Sequence, residues 1–137
     1  MKKLFYVPIM VAAVVLVTAS MSRAAEFPNL LGNWDGAVSY VGWNESSSFY
    51  YASSGFPIEI QIQDFGNGNF YGLMNDYYPF TGNVSKKKVV TIILYGASGD
   101  YKIITGKVSG NKMTGTMQHF KPGQVDTGTF TLYKQGP

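Results

Sequence analysis

The chain has 137 residues, 11 Lys and Arg against 8 Asp and Glu, a formal net charge of +3 and no cysteine. Lys2, Lys3 and Arg23 all precede residue 25, so the rest of the chain carries 8 bases against 8 acids and no arginine. A neutral domain without arginine is a poor partner for nucleic acid, and a chain without cysteine forms neither disulfides nor thiolate metal sites.

Residues 1–24 have the pattern of an export signal. Lys2 and Lys3 begin the segment, an apolar run follows from Leu4 to Ala19, and Ser22-Arg23-Ala24 places small residues at the two positions that determine cleavage. The apolar run is shorter than the roughly 20 residues of a membrane-spanning helix. We therefore expect a cleavable signal helix, a mature domain over residues 25–137 without a transmembrane span, and a periplasmic or extracellular location.

Short alternating apolar runs follow in the mature chain, joined by connections too short for helices. They predict strands near residues 33–41, 57–63, 69–75, 80–85 and 89–95, and three more within 101–134. Residues 43–56 read as a long polar connection that also carries aromatic residues.

The stretch 101–134 contains rows of apolar residues at every second position, several with glycine in the middle. The Gly110-Asn111 turn predicts that Ile104 pairs with Met117 and Gly106 with Gly115. If the next hairpin keeps the same alternation of inward and outward residues, it would set Met117 beside Phe130, Gly115 beside Leu132 and His119 beside Gly128. Bulky residues beside glycines are typical of the interior of a narrow barrel.

The sequence thus predicts an all-β fold, an eight-stranded antiparallel up-and-down barrel, with a two-sheet β-sandwich as the alternative. Polar residues on the face opposite the glycine rows, among them Glu59, Gln61 and Thr129, place the apolar face inside, unlike an outer-membrane barrel.

Gly32-Asn33-Trp34 at the start of the first strand resembles the Gly-x-Trp signature of calycins, the group of lipocalins and avidins. The eight strands and the closing Gly128-Thr129-Phe130-Thr131-Leu132 are similar to that group as well. The resemblance implies a small barrel that binds a small ligand.

Alternate connections of such a barrel lie at one end, and the connections at one of the two ends are rich in aromatic residues. Barrel mouths are preferred ligand sites, so we expect a small apolar or aromatic ligand there. The candidate ligand-binding residues are Trp43, Tyr50, Tyr51, Asp76, Tyr77, Tyr78, His119 and Phe120. A core filled by its own side chains, without a cavity, is the competing expectation.

Catalysis is not expected from this sequence. His119 is the single histidine, so a histidine metal cluster is excluded. It is expected near the rim either as a ligand hydrogen-bonder or general base, or as a histidine satisfied by backbone or water. Asp76 and Glu59 are expected on different faces and ends, which leaves no paired carboxylates for glycoside chemistry. We predict a protein without enzymatic activity, cofactor or metal.

A second hypothesis is a protein-interaction or assembly module. Pairing of Ile93 with Ile103 and of Tyr95 with Tyr101 would form an apolar patch on the outer wall. A second copy of the chain could bury that patch in a homo-oligomer, or the chain's own segment 27–31 could cover it. Carbohydrate binding by exposed Tyr and Trp is a third possibility.

Overall fold

The structure, a computed structural model, describes residues 26–44 and 49–136; the predicted signal segment 1–24 lies outside the described residues. Eight antiparallel strands follow one another in chain order and close into a barrel in which β1 pairs with β8. This confirms the predicted barrel over the sandwich. The strands are β1 Gly32–Asn44, β2 Phe49–Gly66, β3 Asn69–Met74, β4 Tyr78–Val84, β5 Val89–Tyr95, β6 Tyr101–Ser109, β7 Lys112–Lys121 and β8 Gln124–Lys134.

The described residues contain no α-helix, only a single 3₁₀ turn at Ala97–Gly99. No helix within these residues is long and apolar enough to cross a bilayer.

Alternation along the strands separates a dry interior from a polar outer wall. Every strand contributes side chains to the interior. The fully buried ones include Trp34, Ile60, Ile92, Met113, Met117 and Leu132. Packed side chains therefore occupy the middle of the barrel, as expected for eight strands.

Aromatic rings fill the spaces that interior glycines leave. Phe70 pairs with Gly82 and Phe80 with Gly72, and the two rings meet edge to face with centroids 6.3 Å apart. A Cβ atom added at Gly82 would come 2.5 Å from the Phe70 ring. The predicted pattern of large beside small is therefore present.

The predicted register of the β6–β7 hairpin is confirmed: Ile104 pairs with Met117 and Gly106 with Gly115. The predicted register of the β7–β8 hairpin is wrong by two residues, because Met117 pairs with Gly128 and His119 with Asp126.

The cause is a tight turn at Pro122-Gly123, where Lys121 already pairs with Gln124 and Gly123 adopts φ 69°. Proline followed by a residue with positive φ suits a type II turn. Phe130, not Leu132, consequently lies opposite Gly115.

Residues 43–44 and 49–56 are strand, so the prediction of a long connection over 43–56 is corrected. β1 continues to Asn44 and β2 begins at Phe49, and the two pair along this extension. A shift of register between Val38 and Tyr40 marks a bulge, and Gly55 on the facing strand adopts φ 73°. Pairing of β1 with β8 as far as Asn44 holds the extension in place despite its polar composition.

One end of the barrel, here called the closed end, is sealed by the chain that precedes β1. Trp34 is fully buried there, and its indole Nε1 donates a 2.9 Å hydrogen bond to the carbonyl of buried Leu30. The Lys134 ammonium lies 5.9 Å from the center of the Trp34 ring and donates to the Asn29 carbonyl at 3.3 Å. Tryptophan thus plugs this end with its polar atom satisfied.

Candidate functional site

The opposite end, here called the mouth, collects four connections: β1–β2, β3–β4, β5–β6 and β7–β8. This grouping follows from the up-and-down order and agrees with the sequence prediction. Inward-facing residues at the mouth are less buried than those in the core; Tyr78 is 41% exposed and Phe56 52%. The mouth is therefore where the interior meets solvent.

Three charged or titratable side chains form a row across neighboring strands at the mouth. Lys102 on β6 pairs with His119 on β7, which pairs with Asp126 on β8. Each lies two residues from a buried inward position, namely Ile104, Met117 and Gly128, so all three belong to the inward face. We call Lys102, His119 and Asp126 the mouth row.

His119 lies between two carboxylates without a hydrogen bond to either. Its Nδ1 is 3.8 Å from Asp126 Oδ2 and its Nε2 is 3.9 Å from Asp100 Oδ2. Burial, reinforced by the Lys102 and Lys121 ammonium groups, lowers the pKa of His119 to about 4, although Asp100 acts in the opposite direction. The imidazole is therefore neutral near pH 7.

Asp126 is the buried acid of the row, with 7% exposure. Gln124 Nε2 donates to its Oδ1 at 3.0 Å, and Lys121 Nζ lies 3.8 Å from its Oδ2. Burial raises the pKa of Asp126. Beneath it, the Tyr40 hydroxyl lies 3.0 Å from Met117 Sδ, and burial, with a smaller effect of Asp126, raises the pKa of Tyr40.

A cavity of about 310 Å³ opens beside the mouth row, between β5, β6 and the β5–β6 connection. Buried Leu94 supplies an apolar surface and Tyr78 an aromatic one, while Lys102 and His119 supply polar groups. The Lys102 ammonium lies 5.8 Å from the center of the Tyr78 ring. This volume is near the lower limit for small-molecule sites, so a molecule of about one ring fits it.

Some of the predicted ligand-binding residues line the cavity and others do not. Tyr78 and His119 both line the cavity. Phe120 is not part of the cavity lining, and its ring stacks on Tyr101 with centroids 4.6 Å apart. Tyr77 is 77% exposed in the β3–β4 turn and touches Tyr78 edge to face.

Trp43, Tyr50 and Tyr51 belong to the extended β1–β2 hairpin at the mouth, where Trp43 pairs with Tyr50. Their side chains lie outside the described set.

Asp76 lies apart from the cavity, and its predicted separation from Glu59 is wrong. The β3–β4 turn folds back so that Asn75 N donates to the Glu59 carbonyl and Asn75 Oδ1 accepts from Glu59 N. Asp76, Glu59 and Asp35 line one outer groove. The Asp76 carboxylate is the main cause that raises the pKa of Glu59.

The predicted wall patch has the expected pairing. Ile93 pairs with Ile103 and Tyr95 with Tyr101, and Ile93, Tyr95 and Ile103 each stand next to a buried residue. Tyr95 is 72% exposed. The segment 27–31, which could have covered the patch, instead reaches the closed end, where the Phe27 ring would contact a Cβ added at Gly68.

A larger groove, of about 830 Å³, lies at the closed end. Its charged residue is Lys134, which is already hydrogen-bonded to Asn29 and lies over Trp34. The mouth cavity instead combines Leu94 and the Tyr78 ring with Lys102 and His119, so the mouth is the better candidate site.

Sequence reasoning missed Lys102 and Asp126. Both could have been found by extending the apolar rows one step, because Lys102 precedes Ile104 by two positions and Asp126 precedes Gly128 by two. The two-residue error in the β7–β8 register set His119 beside Gly128 and so hid its contact with Asp126.

Within the described residues, no group of three or more His, Asp and Glu side chains is arranged to hold a metal ion. Searches of protein-family models, of curated proteins and of solved structures found no match to this chain.

Proposed function

We propose that this protein is an exported, non-enzymatic barrel that binds a small apolar or aromatic molecule at its mouth. The observation that carries the proposal is the cavity of about 310 Å³ in which Leu94 and the Tyr78 ring meet the inward polar groups of Lys102 and His119. Apolar walls with a few convergent polar groups are typical of ligand sites. The ligand rests above the filled core, not within it.

The calycin-like resemblance supports the same proposal. Gly32-Asn33-Trp34 begins β1, and the fully buried Trp34 plugs the end of an eight-stranded barrel opposite the mouth. The resemblance implies a small barrel that binds a small ligand, and we propose that this ligand binds at the mouth, opposite Trp34.

The chemistry of the mouth row argues for binding over catalysis. A general base works best when its pKa is close to the working pH, whereas the pKa of His119 is lowered to about 4. Its nearest carboxylate oxygens, at 3.8 and 3.9 Å, are too distant to orient the ring by a hydrogen bond.

Ligand-observed NMR with a library of single-ring compounds tests the site. Tyr78→Ala should abolish binding of the hits, because it removes the aromatic wall of the cavity. Tyr133→Ala is the matched control, since Tyr133 is a half-exposed tyrosine on the outer wall of β8. Hits that survive Tyr78→Ala unchanged would contradict the mouth assignment.

Export is proposed from residues 1–24 and has its own test. Intact-mass analysis of the protein from bacterial cell fractions should give a chain that begins at Ala25, in the periplasm or the medium. A full-length chain retained in the cytoplasm would contradict it.

A second candidate function is self-assembly through the wall patch of Ile93, Tyr95, Tyr101 and Ile103. The 72% exposure of Tyr95 and the Tyr101–Phe120 stack beside it favor this reading. Light scattering should give an oligomer for the wild type and a monomer for Ile93→Lys, because a charge in an apolar interface is costly. A monomeric wild type would remove this function.

A further inference from the structure

We propose that the mouth ligand carries an anionic group, a carboxylate in the simplest case, which pairs with the Lys102 ammonium while its ring packs on Tyr78 and Leu94. This inference rests on the proposed binding function and specifies its ligand class. It starts from the position of Lys102, an inward residue of β6 that pairs with buried Leu94 on one side and with His119 on the other.

Lys102 has no ion-pair partner among the described residues, although Asp100 is close enough to raise its pKa. The described residues place Lys121 within 3.8 Å of Asp126 and His119 within 3.9 Å of Asp100, but they give Lys102 no ion pair. Its ammonium group lies 5.8 Å from the center of the Tyr78 ring. A half-buried ammonium in this state has lost water without gaining a counter-ion, so an anionic ligand would restore its solvation.

Two carboxylates border the mouth row, Asp126 and Asp100, and Asp100 also lines the cavity. Asp126 accepts from Gln124 at 3.0 Å and lies beside Lys121. Asp100 lies beside His119 Nε2 and is one-third exposed, so solvent screens its charge. Asp100 raises the pKa of Lys102, while burial and Lys121 lower it and burial has the larger effect. Burial and Lys121 therefore disfavor the charged form of Lys102, and a negative group of a ligand would stabilize it.

His119 adds a neutral polar contact next to Lys102. Because the imidazole is uncharged near pH 7, it can donate one hydrogen bond to a carboxylate oxygen without a proton changing hands. Leu94 and Tyr78 contribute the apolar part of the cavity. The class that this combination recognizes is a small aromatic or alicyclic carboxylate.

Matched pairs of acids and amides test the charge directly. Benzoate against benzamide, and cyclohexanecarboxylate against cyclohexanecarboxamide, keep the ring and change only the charged group. Ligand-observed NMR titrations at pH 7 should give at least about tenfold tighter binding for the acids, as expected for a charge-assisted contact in a half-buried site.

Two variants of Lys102 separate charge from packing. Lys102→Met keeps the apolar stem and removes the charge, so it should weaken binding of the acids about tenfold, weaken binding of the amides less, and erase the preference for acids. Lys102→Arg keeps the charge and should retain the preference for acids.

The outcomes distinguish the two proposals. If amides bind as tightly as acids and Tyr78→Ala abolishes binding of both, the proposal of an anionic ligand is wrong but the binding site is retained. If Tyr78→Ala affects neither series, the proposed function fails, and this inference fails with it.

Discussion

The two ends of the barrel are made from the same strands, yet their inward side chains differ in polarity. At the closed end, Trp34 is fully buried and donates its one polar hydrogen to Leu30. At the mouth, the inward positions of β6, β7 and β8 are Lys102, His119 and Asp126. The filled core separates the two ends. Trp34 at the closed end stabilizes the fold, whereas the mouth is available for binding.

Trp34→Ala should produce the largest loss of stability, because it empties the closed end. Removing a fully buried tryptophan costs about 3–5 kcal/mol, measured as the free energy of unfolding in denaturant titrations. Tyr77→Ala is the control at the mouth; at 77% exposure its expected change is within about 0.5 kcal/mol. Equal losses for the two variants would contradict the division between the ends.

Gly82→Ala should have the next largest effect, by crowding the core that separates the ends. The added Cβ would lie 2.5 Å from the Phe70 ring and 2.8 Å from the Thr91 carbonyl oxygen, and overpacking of this kind costs about 1–3 kcal/mol. Phe70→Leu in the same chain should recover part of that loss. If the loss in free energy of unfolding of the double variant equals the sum of the losses of the two single variants, the Phe70 ring does not fill the space at Gly82.

A smaller effect is expected from pH, and it belongs to the mouth. The folded pKa of His119 is about 4, below its ordinary value of 6.5, so the unfolded chain binds more protons between these values. Stability should therefore fall as pH is lowered from about 7 to 5. The charged groups facing the imidazole are Lys102, Lys121, Asp100 and Asp126.

His119→Gln isolates this contribution, because the chain has no other histidine. Its denaturation midpoint should change less than that of the wild type over the same pH range. Asp126 acts with the opposite sign, since burial raises its folded pKa above 3.8, and it is present in both proteins. Parallel pH profiles for wild type and His119→Gln would show that the imidazole is not buried as described.

Lys134→Met should have the smallest effect, again at the closed end. It removes the ammonium that lies over Trp34 and donates to the Asn29 carbonyl, at an expected cost of about 0.5–1 kcal/mol. Lys112→Met is the matched control, since its ammonium lies 6.0 Å from the exposed Tyr133 ring. Thermal unfolding of the two variants compares them, and a larger loss for Lys112→Met would contradict the sealed end.

Alternation carried most of the fold prediction, since it identified the barrel, the inward rows and the β6–β7 register. It failed where pairing depended on contacts distant in sequence. Residues 49–56 are strand because they pair with β1, which in turn pairs with β8, and composition does not reveal such pairing. His119 was found because it is unique, whereas Lys102 looked like one surface lysine among several until its neighbors across the sheet, Leu94 and His119, were known.

Both tails of the domain leave from the same pole. Gln135 N donates to the Asn33 carbonyl at 2.8 Å, and Lys134 reaches Asn29, so the segments before β1 and after β8 run side by side. A tether joined at either tail would hold the molecule with its binding rim turned toward solution. Sensor surfaces and fusion partners can therefore be attached there, and a short linker between the tails would permit circular permutants that are cut at Gly110-Asn111.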